Sequence, residues 1–554
     1  MLLLPFTAIV AAVASAASTP EIPQKKPIKM NFSVLRGNSR SSATKGAIPE
    51  LVKRDGLAEL TLNNEQTYYA ATLKIGSQGA ENSVVVDTGS SDLWIMSSGV
   101  ECSSSSSYYK RAQDFNEFLD VPERSHRRLM DFEIPNLATG SEPNEKRADT
   151  TVTIEQTATG LATAVALQIG GGSSAAGSGS GSGGTCTAAG SFNTAALDSF
   201  KVNSTAPDFS ISYADGTYAN GFWGHDYVDF GSSNVSDCSF AVVNDTTLDT
   251  GVFGIGFAQL ETTYSGSTLT RLYTYENFPL RLKETGQINK VLYSLYLNTA
   301  DALSGSVLFG AVDHAKYSGQ LQTVPIINIY SSYYRNPIRF DIVLDLITLE
   351  SSSQNVSVLN LHIPALLDSG TTLTYLPTAI LSSLVSLLGG SLSLLGYYRV
   401  SCSYNTNKAF AVFNFSGVEI KVPMSDLILS LGSTCYLGVL GQSSDSLTGS
   451  PYAILGDNFL RNAYIVYDLE DYEISLAQVN YSSSEDIEVV LSSVPLAVQA
   501  PDYSSTAVAS SVTSGSTSSE LSSLGLKKSQ GTNAIHFAKS MFFALAGVCM
   551  LFVL

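Results

Sequence analysis

The 554-residue chain is poor in the side chains from which metal and nucleophilic sites are built. It has five histidines and six cysteines, with neither a His-Glu-x-x-His nor a Cys-x-x-Cys. Metal chemistry draws on such residues at such spacings, so no metal and no cofactor is expected. Charge is scarce as well: 14% of residues are charged, against about 25% in an average globular chain. With 44% apolar residues the chain can bury a large core, which excludes disorder throughout. Acidic residues outnumber basic ones 49 to 31, a net charge of −18. A nucleic-acid partner is excluded, because phosphate affinity needs a positive surface. The length allows three or four ordinary domains, or fewer with processed segments.

The ends read as processing signals. Residues 1–16 are an apolar run closing on Ala14-Ser15-Ala16, the small-x-small pattern of a signal peptide, although the usual basic start is missing. Residues 541–554 are apolar and terminal, shorter than the about 20 residues of a comfortable membrane span. A Ser/Thr-rich segment and a polar spacer precede them, which is the layout of a GPI-anchor signal. Ser529 is the preferred attachment residue, and 530–554 would be removed. Lys527-Lys528, just before it, resembles the dibasic signal of membrane retention in fungi. Six Asn-x-Ser/Thr sequons in the expected mature chain, at Asn203, Asn234, Asn244, Asn355, Asn414 and Asn480, agree with a secretory route.

Charge divides the chain again. Residues 17–54 carry a net +6 and end in Lys53-Arg54, whereas 55–554 carry a net −24. A basic leader that a processing convertase cuts after Arg54 reads as a propeptide held electrostatically across an acidic domain.

From 55 to about 480 short alternating runs such as 67–75, 83–87, 464–468 and 472–479, separated by Gly, Asn, Asp and Ser turns, predict strands; the best helical pattern is 378–389. A degenerate repeat organises this region. Val84-Val85-Val86-Asp87-Thr88-Gly89-Ser90-Ser91 precedes Gly251-Val252-Phe253-Gly254, and Ala365-Leu366-Leu367-Asp368-Ser369-Gly370-Thr371-Thr372 precedes Ala453-Ile454-Leu455-Gly456. Asp87 and Gly254 are 167 apart, Asp368 and Gly456 88 apart; without the 83 residues between Cys102 and Cys186 the first spacing is 84. That insert contains Gly/Ser-rich sequence unable to build a packed core. Two similar β lobes follow, the first with an inserted loop at 103–185.

Each lobe would deliver one aspartate to a shared seam. Two neighbouring carboxyls cannot both ionise freely, so they share a proton and titrate as a pair. One then takes a proton from a water while the other donates to a substrate carbonyl. Ser90 and Thr371, three residues after each aspartate, are placed to orient the carboxyls.

These motifs, with Ile454-Leu455-Gly456-Asp457 and the segment Ile211–Thr217, resemble those of pepsin-type aspartic proteases. The Lys-Arg-terminated leader, the insert with dibasic sites and the anchored tail are similar, more narrowly, to the fungal GPI-anchored yapsins. The resemblance implies an all-β, bilobal pepsin-like fold with the active-site cleft between the lobes, and Asp87 and Asp368 as catalytic residues. It implies a flap carrying Tyr213, braced by the Trp94 indole and turned at Asp215-Gly216, with Ala214 where many relatives have glycine. It also implies protein or peptide substrates cut beside Lys or Arg, a side chain that Asp215 is expected to meet.

A Ser-His-Asp hydrolase is disfavoured because no nucleophile motif accompanies His225, His314 or His362. A wall-anchored structural or adhesive protein built on a catalytically weak protease fold is the alternative. For the cysteines, Cys102–Cys186 and Cys402–Cys435 are expected to pair and Cys238 to remain a buried thiol. The insert should be cut after Arg147, and also after Arg128, by a convertase or by the enzyme itself. The expected organisation is signal peptide 1–16, propeptide 17–54, first lobe 55–290, second lobe 291–481, Ser/Thr-rich stalk 482–529 and anchor signal 530–554. The product would reside at the plasma membrane or in the cell wall, bound to lipid bilayer or wall through its anchor.

Overall fold

The computed structural model describes residues 27–36, 44–45, 68–102, 186–196, 199–213, 217–230, 233–265, 273–350, 355–393, 396–406, 408–445, 447–504 and 506–508. The signal peptide, Arg54, the insert with Arg128 and Arg147, and Ser529 lie outside these residues.

Strands Tyr68–Ile75 and Ala80–Asp87 form an antiparallel hairpin. Val84, Val85 and Val86 are all buried, as suits a run of β-branched residues covered on both faces. Strand Gly251–Gly254 lies parallel to it, with Gly254 opposite Asp87. In the second lobe Ala453–Leu455 lies parallel to the end of Asn355–Leu367 in the same way, with Leu455 opposite Leu367. The sequence repeat is thus a structural one.

The glycines that close the two downstream strands are required by packing. A Cβ at Gly254 would sit 2.6 Å from the backbone nitrogens of Ser91 and Asp92, and one at Gly456 2.4 Å from the carbonyl oxygens of Thr371 and Leu373. These are contacts with backbone, which has nowhere to go.

A 16-stranded sheet joins the lobes, running from Val498–Gln499 through Glu473–Val479, Ala463–Asp468, Leu292–Tyr296 and Ser304–Phe309 into the first-lobe strands. A separate seven-stranded sheet, including Asp341–Glu350 and Asn355–Leu367, and a four-stranded one, including Tyr398–Val400 and Thr434–Leu437, build much of the rest of the second lobe. The helix Thr378–Leu387 lies within the expected stretch. Phe278–Glu284 is also helical, too short to show a periodicity.

Three features differ from expectation or refine it. Within the basic leader, Ile28–Arg36 is a strand of the shared sheet, paired with Ser304–Phe309 on one side and Tyr68–Ile75 on the other, and Thr44–Lys45 pairs with its end. Ile28, Met30, Phe32 and Val34 alternate inward and are buried. Apolar burial and ladder hydrogen bonds hold it, with Lys29 adding an ion pair to Glu485; the purely electrostatic expectation is corrected to that extent. The insert begins and ends at one place, because Cys102 and Cys186 are disulfide-bonded with their Cα atoms 5.9 Å apart. After it the chain docks at once: Phe192 is buried and its N–H donates to the Met96 carbonyl at 2.8 Å.

The third difference is the stalk, which does not start at 482. Residues 482–503 wrap the second lobe. Ile487–Val489 pairs with Ala311–Asp313, and Val498–Gln499 with Gln322 and Thr323. The buried Lys316 ammonium donates to the carbonyls of Ser482 and Ser484 at 2.7 and 2.8 Å, and Val490 is fully buried. Serine-rich composition concealed a segment whose few apolar residues are enough to seat it.

Candidate active site

The two Asp-containing turns meet at the seam with matching geometry. Gly89 N donates to Asp87 Oδ1 at 2.7 Å and Ser90 Oγ to Asp87 Oδ2 at 2.5 Å. Gly370 N donates to Asp368 Oδ1 at 2.8 Å and Thr371 Oγ1 to Asp368 Oδ2 at 2.6 Å. Each carboxyl therefore receives one backbone and one hydroxyl donor, which fixes its plane. Asp87 and Asp368 are 2% and 0% exposed. Burial, and then the charge of Asp87, hold the Asp368 carboxyl well above the usual carboxylate range. Such a pair can keep one proton at acid pH, with one oxygen ready to accept and another to donate.

The residues after the aspartates lock the lobes together. Thr88 Oγ1 donates to the Leu367 carbonyl at 2.9 Å and accepts from Ser369 N at 3.0 Å. Ser369 Oγ donates to the Val86 carbonyl at 2.9 Å and accepts from Thr88 N at 3.2 Å. Sequence reasoning gave neither residue a role, although a hydroxyl at the same place in both repeats was a signal.

A third buried carboxyl was also missed. Asp457 follows Gly456 in the quoted motif; burial raises it well above the ordinary range, Arg461 opposes this, and Asp368 and Asp87 both add to it. Beneath the dyad Tyr293 and Tyr467 stack with centroids 5.0 Å apart.

The Trp94 indole N–H donates to Tyr213 Oη at 2.8 Å. Both are buried in a cluster with Phe209, Ile211 and Trp223. Asp215 and Gly216, expected at the turn between Phe209–Ser212 and Tyr218–Asp229, lie outside the described residues, as does Ala214.

Cys402–Cys435 is a disulfide and Cys238 a buried free thiol pushed up to about 12 by burial. The described histidines each face a carboxylate: His225 that of Asp237, His314 that of Glu488, His362 that of Asp345. Asn203, Asn234, Asn244 and Asn480 are exposed and Asn414 is half-buried, while Asn355 opens a strand.

A burial-driven, paired-carboxyl seam can polarise a water without metal or serine. The ionised member could take the proton of a water whose oxygen attacks a peptide carbonyl carbon while the protonated member donates to the carbonyl oxygen; collapse of the tetrahedral intermediate would then break the C–N bond as the proton taken from the water passes to the nitrogen.

The family description "Eukaryotic aspartyl protease" matches residues 68–117 and 172–479, interrupted within the insert. "Aspartic proteinase 3" of Saccharomyces cerevisiae is 42% identical over 87% of this chain and 82% of its own length. "Secreted aspartic protease 9" of Candida albicans is 43% identical over 84% of this chain and 87% of its own. "Aspartic proteinase yapsin-3" of Saccharomyces cerevisiae is 35% identical over 90% and 82% respectively.

Proposed function

Because this chain belongs to the eukaryotic aspartyl protease family and is an aspartic endopeptidase, we propose that it works on the secretory route and at the cell surface, cutting proteins or peptides beside lysine or arginine. Asp87 and Asp368 are the water-activating pair, oriented by Ser90 and Thr371. Tyr213, held by Trp94, covers the cleft and excludes water. The matched donors on the two buried carboxyls are the observation that carries the catalytic reading.

The finer reading rests on charge and on likeness. The net −24 of residues 55–554 attracts a positive substrate by steering, and the resemblance to yapsins points the same way. Relatives carry the words "secreted" and "yapsin" in their names, which supports the secretory route. A propeptide released after Arg54, N-glycans on the six sequons and a GPI anchor at Ser529, holding the enzyme to membrane or wall, complete the proposal.

Peptide-library cleavage by the purified soluble ectodomain, with and without pepstatin, tests it. Pepstatin-sensitive cleavage beside Lys or Arg is expected, and Asp215→Ala should lose the preference over neutral peptides. Equal preference in both enzymes removes Asp215 from the site; cleavage without a basic preference removes the substrate reading and leaves the endopeptidase.

A further inference from the structure

The second lobe buries a group of charges that the hydrolytic steps do not use. Arg339, 2% exposed, stands just before the strand Asp341–Glu350. Its Nε and Nη2 donate to Asp341 Oδ2 and Oδ1 at 3.0 and 2.8 Å, a two-pronged pair. Its Nη1 donates to Tyr330 Oη at 2.9 Å, and that hydroxyl donates in turn to Asp445 Oδ2 at 2.7 Å. The guanidinium carbon also lies 5.2 Å from the ring centres of Tyr330 and Tyr452. All five side chains are buried.

Each end of this relay organises a turn. The Tyr330 carbonyl accepts from the N–H groups of Tyr333 and Tyr334 at 2.8 and 2.9 Å. Tyr330 N donates to Asn328 Oδ1 at 3.1 Å, and Asn328 Nδ2 to the Tyr334 carbonyl at 2.7 Å. At the other end Asp445 Oδ1 accepts from the N–H groups of Leu447 and Thr448 at 3.0 and 2.8 Å. Asp445 N donates to the Ser450 carbonyl at 2.9 Å.

Both turns run into strands that flank Asn355–Leu367, the strand that delivers Asp368. Asp341 stands opposite Leu366, and the Phe340 carbonyl accepts from Leu367 N at 3.2 Å. The Asp445 turn leads into Ala453–Leu455, where the Leu455 carbonyl accepts from Asp368 N at 3.1 Å. The Tyr330 turn also crosses the seam. The Tyr334 ring lies 6.1 Å, centre to centre, from that of Tyr264 in the first lobe, and Ser332, Tyr333 and Arg335 beside it are exposed.

Stability does not account for such a cluster, because a buried ion pair is often no better than well-packed apolar side chains of the same volume. What the guanidinium fork supplies is one geometry, since its donors are fixed in a plane. We propose that Arg339 and Tyr330 are positioning residues that join the two turns into one rigid wall beside Asp368. That wall, with Tyr334 at the seam, holds the part of an extended peptide lying on one side of the scissile bond. The proposal rests on the endopeptidase activity and not on the preference for basic residues.

A peptide length series tests the wall. A peptide that the wild type cleaves in a pepstatin-sensitive way keeps its scissile bond and is lengthened residue by residue at either end. The full secreted enzyme is compared with Tyr330→Phe, which keeps the ring beside Arg339 and removes only the hydroxyl that links it to Asp445. Remote contacts are spent at the reacting centre, so lengthening should raise the wild-type kcat more than it lowers KM. In Tyr330→Phe the gain in kcat from lengthening one end should fall by about tenfold. The gain at the other end, and cleavage of the shortest peptide, should stay within about twofold of wild type. A merely structural defect removes folded enzyme and lowers every peptide by one factor. Such a uniform factor, an equal loss at both ends, or no change at any length overturns the proposal. If Tyr330→Phe is not secreted, Tyr334→Leu, at the half-buried tip, takes its place and is judged by the same outcomes.

Discussion

Thr88→Val removes one hydroxyl while keeping nearly the same shape, and it severs half of the lock between the lobes. Ser369 N loses its acceptor and the Leu367 carbonyl its donor, each in a buried site. A buried polar group stranded in this way costs about 1–3 kcal/mol, so two cost about 2–6 kcal/mol. That is a large share of the about 5–15 kcal/mol that holds a typical protein folded. The second half of the lock, Ser369 Oγ to the Val86 carbonyl with Thr88 N to Ser369 Oγ, survives the change but must now align the lobes alone. Asp87 and Asp368 are each adjacent to a severed group. A displacement of about 1 Å at reacting atoms is worth about a hundredfold in rate, so kcat should fall more than KM rises. Urea unfolding at acid pH and steady-state cleavage of a pepstatin-sensitive peptide measure the two effects. Ser369→Ala should behave alike, and the double variant should cost less than the sum, because lobes that have already slipped lose little more. Thr88→Val within about 0.5 kcal/mol of wild type and with unchanged kcat would refute the lock.

Two further outcomes follow from the chain's boundaries. A soluble form ending at Asn480 should be less stable than one ending at Ser504 by about 2 kcal/mol or more, since it exposes the site of buried Val490 and removes two acceptors of Lys316. Equal melting temperatures would return 482–503 to the stalk. Cutting after Arg147 should make the mature enzyme run as one species without reductant and two with it, the larger beginning near Ala148, because the Cys102–Cys186 bond spans the cut. A single full-length reduced band from its own host refutes the cut.

Much of the site was legible in the linear chain, and for a physical reason. The repeat displays what each half must do locally. Val84–Val86 and Ala365–Leu367 are apolar enough to be covered on both faces; Gly89 and Gly370 permit the turn; Ser90 and Thr371 stand three residues on, within reach of their own aspartate. The downstream glycines were visible as a pattern, although only the packing explains them, through backbone less than 3 Å from where a Cβ would stand. Composition also set the expectation of a loop inserted at 103–185, which lies outside the described residues.

What only the tertiary structure decided depends on partners far apart in sequence. Tyr330, Arg339 and Asp445 have no shared motif; they become one group because the chain returns to Tyr330 after 115 residues. Asp457 acquires its raised proton affinity from burial beside Asp87 and Asp368, which no spacing announces. The leader's basic side chains advertised charge, yet its alternating Ile28, Met30, Phe32 and Val34 place it inside a sheet built from both lobes. The serines of 482–503 suggested a stalk, whereas Lys316, Val490 and two short strand pairings seat that segment on the second lobe. A local pattern reports what the backbone does over a few residues; burial and charge coupling are set by what the rest of the chain brings against it.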